Sequence, residues 1–331
     1  MTAAAAKGRS PVVAYHLSPE SRGQFVEHVS RPRLIDGMPG QPVWLPPPEA
    51  DALFTFASAW AKAPDKEPAG WPFNLRWIQL ASAGVDALPA WAYHGTVVTC
   101  GRGITAGPIA EYVMAVLLEK EKRIPDMWVR SLDDYRRLGN EHDWPKIPLG
   151  GLTGQTLGLL GLGCIGREIA RRATAFGMRI LAARRSSGVS PFDFVKLRPD
   201  AKALASEADH LVLCAPSTPE TRCIIDAAVL AAAKPGLHIV NVARGTLLDH
   251  QALLQALDHG HVGMATLDVT EPEPLPAGHP FYSHPRVRLT PHMAWYSATH
   301  HQRLTEKLLA NLGRFACGEE LADVVDPAKG Y

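Results

Sequence analysis

TLGLLGLGCIG, residues 156–166, is the stretch on which the reading of this chain turns. Residues 156–160 form an unbroken apolar run, the pattern of a strand buried on both faces of a parallel sheet. Gly161, Gly163 and Gly166 follow at the spacing G-x-G-x-x-G, and residues 167–176 read as a helix with Ile169, Ala170 and Ala173 on one face. Strand, glycine turn and helix in this order make a phosphate-binding turn. Gly161 permits the tight turn, Gly163 lets backbone approach a pyrophosphate, and Gly166 allows the helix to pack closely on the strand. The N-terminus of the helix that follows favours negative charge, which brings Cys164 and Ile165 in beside the three glycines. These five residues are therefore expected to hold a dinucleotide.

The alternation continues outward. Residues 179–183, 209–214, 238–241, 263–269 and 287–290 read as further strands, with helices between them such as 249–258. That spacing predicts an α/β fold with a doubly wound parallel sheet. The first third is more weakly patterned. Residues 11–17, 52–56, 76–80 and 97–99 are strand candidates; 18–29 and 108–118 are helix candidates, the second with Pro108 in its first turn, where a missing N–H is harmless. Residues 39–48 (PGQPVWLPPP) form a proline-rich loop, and residues 299–315 read as a long amphipathic helix.

The composition limits what the chain can be. It has 331 residues, 46% hydrophobic and 20% charged, which suits two folded domains and carries no signature of disorder. Its net charge of +1 argues against nucleic acid or a membrane surface as a partner held by bulk charge. Five widely spaced cysteines without a CxxC fit reduced thiols in a cytoplasmic protein, with no disulfide framework and no metal site. The first ten residues, MTAAAAKGRS, are too short and polar for a signal segment and are expected to fray. No stretch approaches the ~18 apolar residues of a membrane span.

The second strand of the nucleotide unit, 179–183, ends in Arg184, Arg185 and Ser186. A site for NAD usually places a carboxylate there, on the ribose 2′-hydroxyl. A carboxylate repels a 2′-phosphate, whereas a guanidinium pairs with it bidentately. NADP(H) is therefore the expected cofactor, with NAD(H) held through backbone contacts as the alternative.

The motifs taken together resemble the D-isomer-specific 2-hydroxyacid dehydrogenases. The matching strings are 151–180 (GLTGQTLGLLGLGCIGREIARRATAFGMRI), 214–225 (CAPSTPETRCII), 241–257 (NVARGTLLDHQALLQAL), 265–276 (ATLDVTEPEPLP) and 289–295 (LTPHMAW), with a weaker string, ASAGVDALP, at 81–89. The resemblance implies a Rossmann-type dinucleotide-binding domain, residues 119–297, inserted into a smaller flavodoxin-like substrate domain, residues 1–118 plus 298–331. It also implies chemistry in the cleft between the domains, and a homodimer paired through the nucleotide domains.

Reduction of a 2-keto acid needs a carboxylate anchor, a proton donor for the carbonyl oxygen and a group that keeps the donor protonated. Arg244 in NVARG matches the family arginine, and its planar fork suits a carboxylate. His292 in TPHMAW matches the family acid/base, a group that titrates near neutrality. Glu273 matches the glutamate that pairs with this histidine; Glu271, two residues earlier, is its rival. Asp268, the carbonyl of Ala243 and the side of Pro216 are expected to line the cofactor. Thr221 is a further cofactor candidate or a helix cap. Ala83 and Gly84 resemble a backbone cradle for the substrate carboxylate, although Gly84 also fits a plain turn. Trp295 resembles a tryptophan that flanks the substrate, and packing is its alternative.

The expected activity is reduction of a small 2-keto acid such as glyoxylate or hydroxypyruvate. A second reading comes from PHMAWYS, which resembles the C-terminal binding proteins, nucleotide-sensing co-repressors of the same fold. The missing acidic strand end and the absence of a long disordered tail count against it. A third reading is a formate or phosphite dehydrogenase of the same fold. Formate enzymes carry Gln beside the catalytic His, where this chain has Pro291.

Overall fold

In the computed structural model the described residues are 10–38, 40–138, 148–186 and 188–331. The fraying expected of the first ten residues falls almost wholly on residues 1–9, outside the described residues. The chain opens with β1 (Val12–Tyr15), α1 (Pro19–Val26), β2 (Arg33–Asp36), β3 (Ala52–Thr55), β4 (Trp77–Leu80) and β5 (Val97–Thr99). Next come α2 (Ala106–Lys122), α3 (Leu132–Leu138), β6 (Thr156–Leu160), α4 (Cys164–Ala175), β7 (Arg179–Ala183), β8 (Val195–Leu197), α5 (Ala201–Glu207) and β9 (His210–Leu213). The rest is α6 (Ala227–Ala231), β10 (Leu237–Asn241), α7 (His250–Asp258), β11 (Val262–Leu267), β12 (Val287–Leu289) and α8 (His300–Cys317).

Two compact units divide these elements: Met1–Thr105 with Ser297–Tyr331, and Ala106–Tyr296. In the first, a parallel sheet runs in the order β2-β1-β3-β4-β5, the flavodoxin-like order. Every residue of β1, β3 and β4 is buried. Leu304, Leu308 and Leu312 recur every four residues on α8 and bury one stripe against Val13, Tyr15, Phe54 and Trp77. Inside this unit Asn311 Nδ2 donates to Gln79 Oε1 at 3.0 Å, and Thr99 Oγ1 donates to the same oxygen at 2.8 Å. The buried amides are thus bonded, as their desolvation requires.

The second unit is built on a seven-stranded parallel sheet in the order β12-β11-β10-β9-β6-β7-β8. After β6, β7 and β8 the chain crosses back to place β9 on the other side of β6. The carboxyl ends of β6 and β9 therefore flank the point where strand order reverses, the place where open α/β sheets take ligands. β6 is buried throughout, as its unbroken apolar run predicts. α2 begins this unit: Ile109, Ala110, Val113, Met114 and Leu117 are buried with Ile169, Ala170 and Ala173 of α4. The domain boundary expected at residue 118 falls inside α2, which belongs whole to the second unit.

Two strands exceed the sequence expectation. β2 (RLID) and β8 (VKL) stand at sheet edges, pair on one side only and carry charged residues, so neither shows an apolar run. α4 also starts at Cys164 rather than Arg167, because the extended backbone of Gly163 already forms its N-cap. Among the described residues, no helix is long and apolar enough to cross a membrane.

Candidate active site

The glycine loop leaves β6 at the point of strand-order reversal. Gly161 has φ +110°, and a Cβ there would lie 2.8 Å from the backbone of Cys214 and Ala215, in the loop after β9. A Cβ on Gly166 would lie 2.3 Å from the carbonyl oxygen of Gly161. Both glycines are demanded by the protein's own packing. Gly163 is different: a Cβ there would meet nothing within 4 Å. Its bare backbone faces open space beside the start of α4, where no side chain caps the free N–H groups. That is the cradle a pyrophosphate fits. Beneath it, Cys214 donates from Sγ to the Gly161 carbonyl at 3.2 Å, and burial pushes its thiol up to about 12.

No carboxylate stands at the end of β7. Arg184 is half-buried and donates from Nη2 to the Val189 carbonyl at 2.8 Å, while Arg185 and Ser186 are exposed. The Arg184 Nε is buried with no hydrogen-bond partner among the described residues. These donors fit a phosphate better than a ribose hydroxyl alone. Thr221, which sequence left open, serves as a cap: Thr218 N–H donates to Thr221 Oγ1, whose hydroxyl points to the Pro216 carbonyl 2.8 Å away.

Three loops at the carboxyl ends of β10, β11 and β12 carry the remaining candidates. Arg244 follows β10, and its Nη1 donates to the Ala243 carbonyl at 2.8 Å. Asn241, fully buried, fastens this turn from both sides: its Nδ2 donates to Arg244 O at 2.9 Å and its Oδ1 accepts from Ala243 N at 3.1 Å. A Cβ on Gly245 would lie 2.0 Å from the carbonyl carbon of Thr270, so the Arg244 turn presses against the loop that carries Glu273. On that loop Glu273 Oε1 lies 2.7 Å from His292 Nδ1. The carboxylate beside the imidazole is therefore that of Glu273 and not that of Glu271. Both partners keep about two-fifths of their side chains exposed, 40% for His292 and 41% for Glu273.

His292 has φ +55°, a left-handed conformation that side chains with a Cβ seldom adopt. Its N–H donates to Asp268 O at 2.9 Å. The Asp268 carboxylate, 3% exposed, accepts from Thr290 Oγ1 at 2.5 Å, from Met293 N at 2.9 Å and from Ala294 N at 3.0 Å. Trp295 Nε1 donates to the His292 carbonyl at 2.7 Å. In the first unit, Ala83 is exposed and Gly84 half-buried in the loop after β4, where the Ser82 hydroxyl donates to Gly84 O at 3.2 Å.

The sequence model of the D-isomer specific 2-hydroxyacid dehydrogenase NAD-binding domain matches residues 127–294, which hold the glycine loop and the loops of Arg244, Glu273 and His292. The chain belongs to the D-isomer-specific 2-hydroxyacid dehydrogenase family. Among its relatives, a glyoxylate/hydroxypyruvate reductase A of Serratia proteamaculans (strain 568) is 33% identical over 271 residues, 78% of this chain and 82% of the other. A D-isomer-specific 2-hydroxyacid dehydrogenase of Xanthobacter autotrophicus Py2, solved with NADPH and MES, superposes with a TM-score of 0.78 at 26% identity, covering 98% of this chain and 100% of that one. An NADPH-dependent glyoxylate/hydroxypyruvate reductase of Sinorhizobium meliloti, solved with NADP and malonate, gives a TM-score of 0.73 at 26% identity over 97% and 98% of the two chains.

In this chain, sequence reasoning missed Asn241, Thr290 and Tyr112. Asn241 had a signal, since Asn at a strand end is turn chemistry. Thr290 and Tyr112 had none, because they meet through space across 178 positions of chain.

Proposed function

We propose that the protein is an NADP(H)-dependent oxidoreductase interconverting small 2-keto acids, such as glyoxylate or hydroxypyruvate, and their D-2-hydroxy acids. The observation that carries this reading is the 2.7 Å His292–Glu273 pair beside the Arg244 turn, on three loops at the carboxyl ends of one parallel sheet. The likeness to reductases of glyoxylate and hydroxypyruvate, one of them NADPH-dependent, supports it.

In this reading the glycine loop (Gly161, Gly163, Cys164, Ile165, Gly166) holds a pyrophosphate, and Arg184, Arg185 and Ser186 hold a 2′-phosphate. Pro216, Ala243 and Asp268 line the nicotinamide end. The bound dinucleotide supplies the hydride. Arg244 anchors the substrate carboxylate with its planar fork. His292 gives a proton to the carbonyl oxygen in reduction and takes it back in oxidation. Glu273 accepts from Nδ1–H, fixes the ring and stabilises its charged form. Trp295 flanks the substrate while bonding the His292 carbonyl. The protein is further proposed to be cytoplasmic, with its five cysteines free, and to act as a homodimer.

Turnover of NADPH and NADH across 2-keto acids of graded size tests the reading. NADPH is expected to give the higher kcat/KM, and Arg185→Ala is expected to lower that value roughly tenfold for NADPH alone, the loss of one charge-assisted contact. Equal or better use of NADH overturns the cofactor preference. No oxidation with any 2-keto acid overturns the reductase reading and favours a nucleotide-sensing scaffold.

A further inference from the structure

We infer that Tyr112, on α2, positions His292 through a one-way hydrogen-bond chain, Tyr112 to Thr290 to Asp268; the inference rests on the dehydrogenase reading above. The direction follows from counting protons. The Tyr112 hydroxyl lies 2.8 Å from Thr290 Oγ1, and Thr290 Oγ1 lies 2.5 Å from Asp268 Oδ1. An ionised carboxylate only accepts, and a hydroxyl has a single proton to give. Asp268 is buried and already receives the amides of Met293 and Ala294, so its charge is met by donors on every side. Thr290 therefore spends its proton on Asp268, and Tyr112 must donate to Thr290. Such a chain ending on a charge polarises each of its links.

The chain bears on the acid/base because of where it ends. His292 sits in a sparsely populated left-handed conformation that persists only when its surroundings over-determine it. Its own amide donates to Asp268 O at 2.9 Å and to Thr290 O at 3.0 Å, and the next two amides donate to the Asp268 carboxylate. Asp268 and Thr290 thus supply most of the bonds that hold the turn. Tyr112 is the link that fixes the Thr290 hydroxyl. It is packed beside the buried stripe of α2 and is held protonated: burial raises its phenol, the Thr290 bond lowers it, and the Asp268 charge raises it. Without the phenol hydroxyl, the turn that presents His292 to Glu273 is less firmly set, while the glycine loop and Arg244 are untouched. Tyr112 is a positioning residue and touches no reacting atom.

The test uses the full chain and four variants: Tyr112→Phe, Thr290→Val, Thr290→Ser and the double Tyr112→Phe/Thr290→Val. Wild-type turnover with NADPH, lost in His292→Asn, first establishes the dehydrogenase reading; its absence is the failure of that reading and not of the chain. Tyr112→Phe is expected to lower kcat roughly fivefold, the worth of one neutral hydrogen bond, with both KM values within about twofold. Thr290→Val should lose at least as much, Thr290→Ser should recover most of it, and the double variant should be no worse than Thr290→Val alone. Amide exchange at Met293 and Ala294 should quicken in Tyr112→Phe, a readout that works with or without turnover. Wild-type kcat in Tyr112→Phe, unchanged exchange at these amides, or fully additive losses in the double variant would each overturn the inference.

Discussion

Glu271 and Glu273 stand two positions apart on one loop, and their chemistry differs only because of what each side chain reaches. Glu273 reaches the imidazole of His292 at 2.7 Å. Replacing it by Gln keeps the shape and removes the charge, so the charged form of His292 loses its stabilising partner. The expected result in Glu273→Gln is a kcat for reduction lower by about a hundredfold, in the range of positioned acid–base groups. Glu271→Gln should leave it unchanged; the turnover of the two variants decides, and the reverse pattern would exchange the roles. The strings that resemble the family pointed to Arg244, Glu273 and His292, and the structure brings the last two together. Sequence did not single out Asn241 or Thr290, whose work is to hold backbone, nor Tyr112, whose partner lies in the loop after β12, far along the chain.

At the scale of elements, the three glycines of one loop serve different masters. A Cβ on Gly166 meets the Gly161 carbonyl oxygen at 2.3 Å, whereas a Cβ on Gly163 meets nothing. Gly163→Ala should therefore melt close to wild type yet bind NADPH at least tenfold more weakly, since only the ligand needs that space. Gly166→Ala should cost roughly 2 kcal/mol of stability through overpacking. Thermal melts read against dinucleotide titrations separate the two. Deeper in the same sheet, His210 and His238 are fully buried on adjoining strands with their Nδ1 atoms 3.1 Å apart. Burial pushes His210 down to about 4 and His238 well below its ordinary range, Lys120 lowering both while Glu121 and Asp209 partly offset this for His210. The unfolded chain takes up these protons near pH 6.5 and the folded chain does not, so stability is complete above that pH and falls on acidification towards 4. For His210 alone the loss is roughly 3 kcal/mol. The urea midpoint should drop between pH 7 and 5, and the drop should shrink in His210→Gln; an equal drop in both proteins would remove the pair as its source. The strands that carry this pair were readable from the strand–helix alternation, as residues 209–214 and 238–241. The edge strands β2 and β8 were not, because one-sided pairing leaves half of each strand in water and charges are tolerated there.

For the whole molecule, the near-zero net charge leaves open what covers its apolar surface. The segment after α2 is the sharpest case. Ile124, Trp128, Val129, Leu132 and Tyr135 are between 47% and 61% exposed, and no residue of α3 is buried. A seven-residue helix with nothing buried is marginal by itself. Exposed apolar clusters of this kind mark association surfaces. Three ion pairs, Arg123–Asp126, Arg136–Asp133 and Arg137–Asp134, offset most of the charge among them and leave Arg130 over. A second copy of the same face would therefore meet only a small repulsion, as a two-fold interface can tolerate. If the homodimer forms here, Trp128→Ser combined with Leu132→Asp should yield a monomer by light scattering, with the His292–Glu273 site itself unaltered because neither substitution touches β10, β11 or β12. The wild type should have twice the chain mass, with dissociation on dilution. A wild-type chain of single mass at high concentration would refute pairing altogether, and a variant that stays dimeric would move the interface to another face of the second unit.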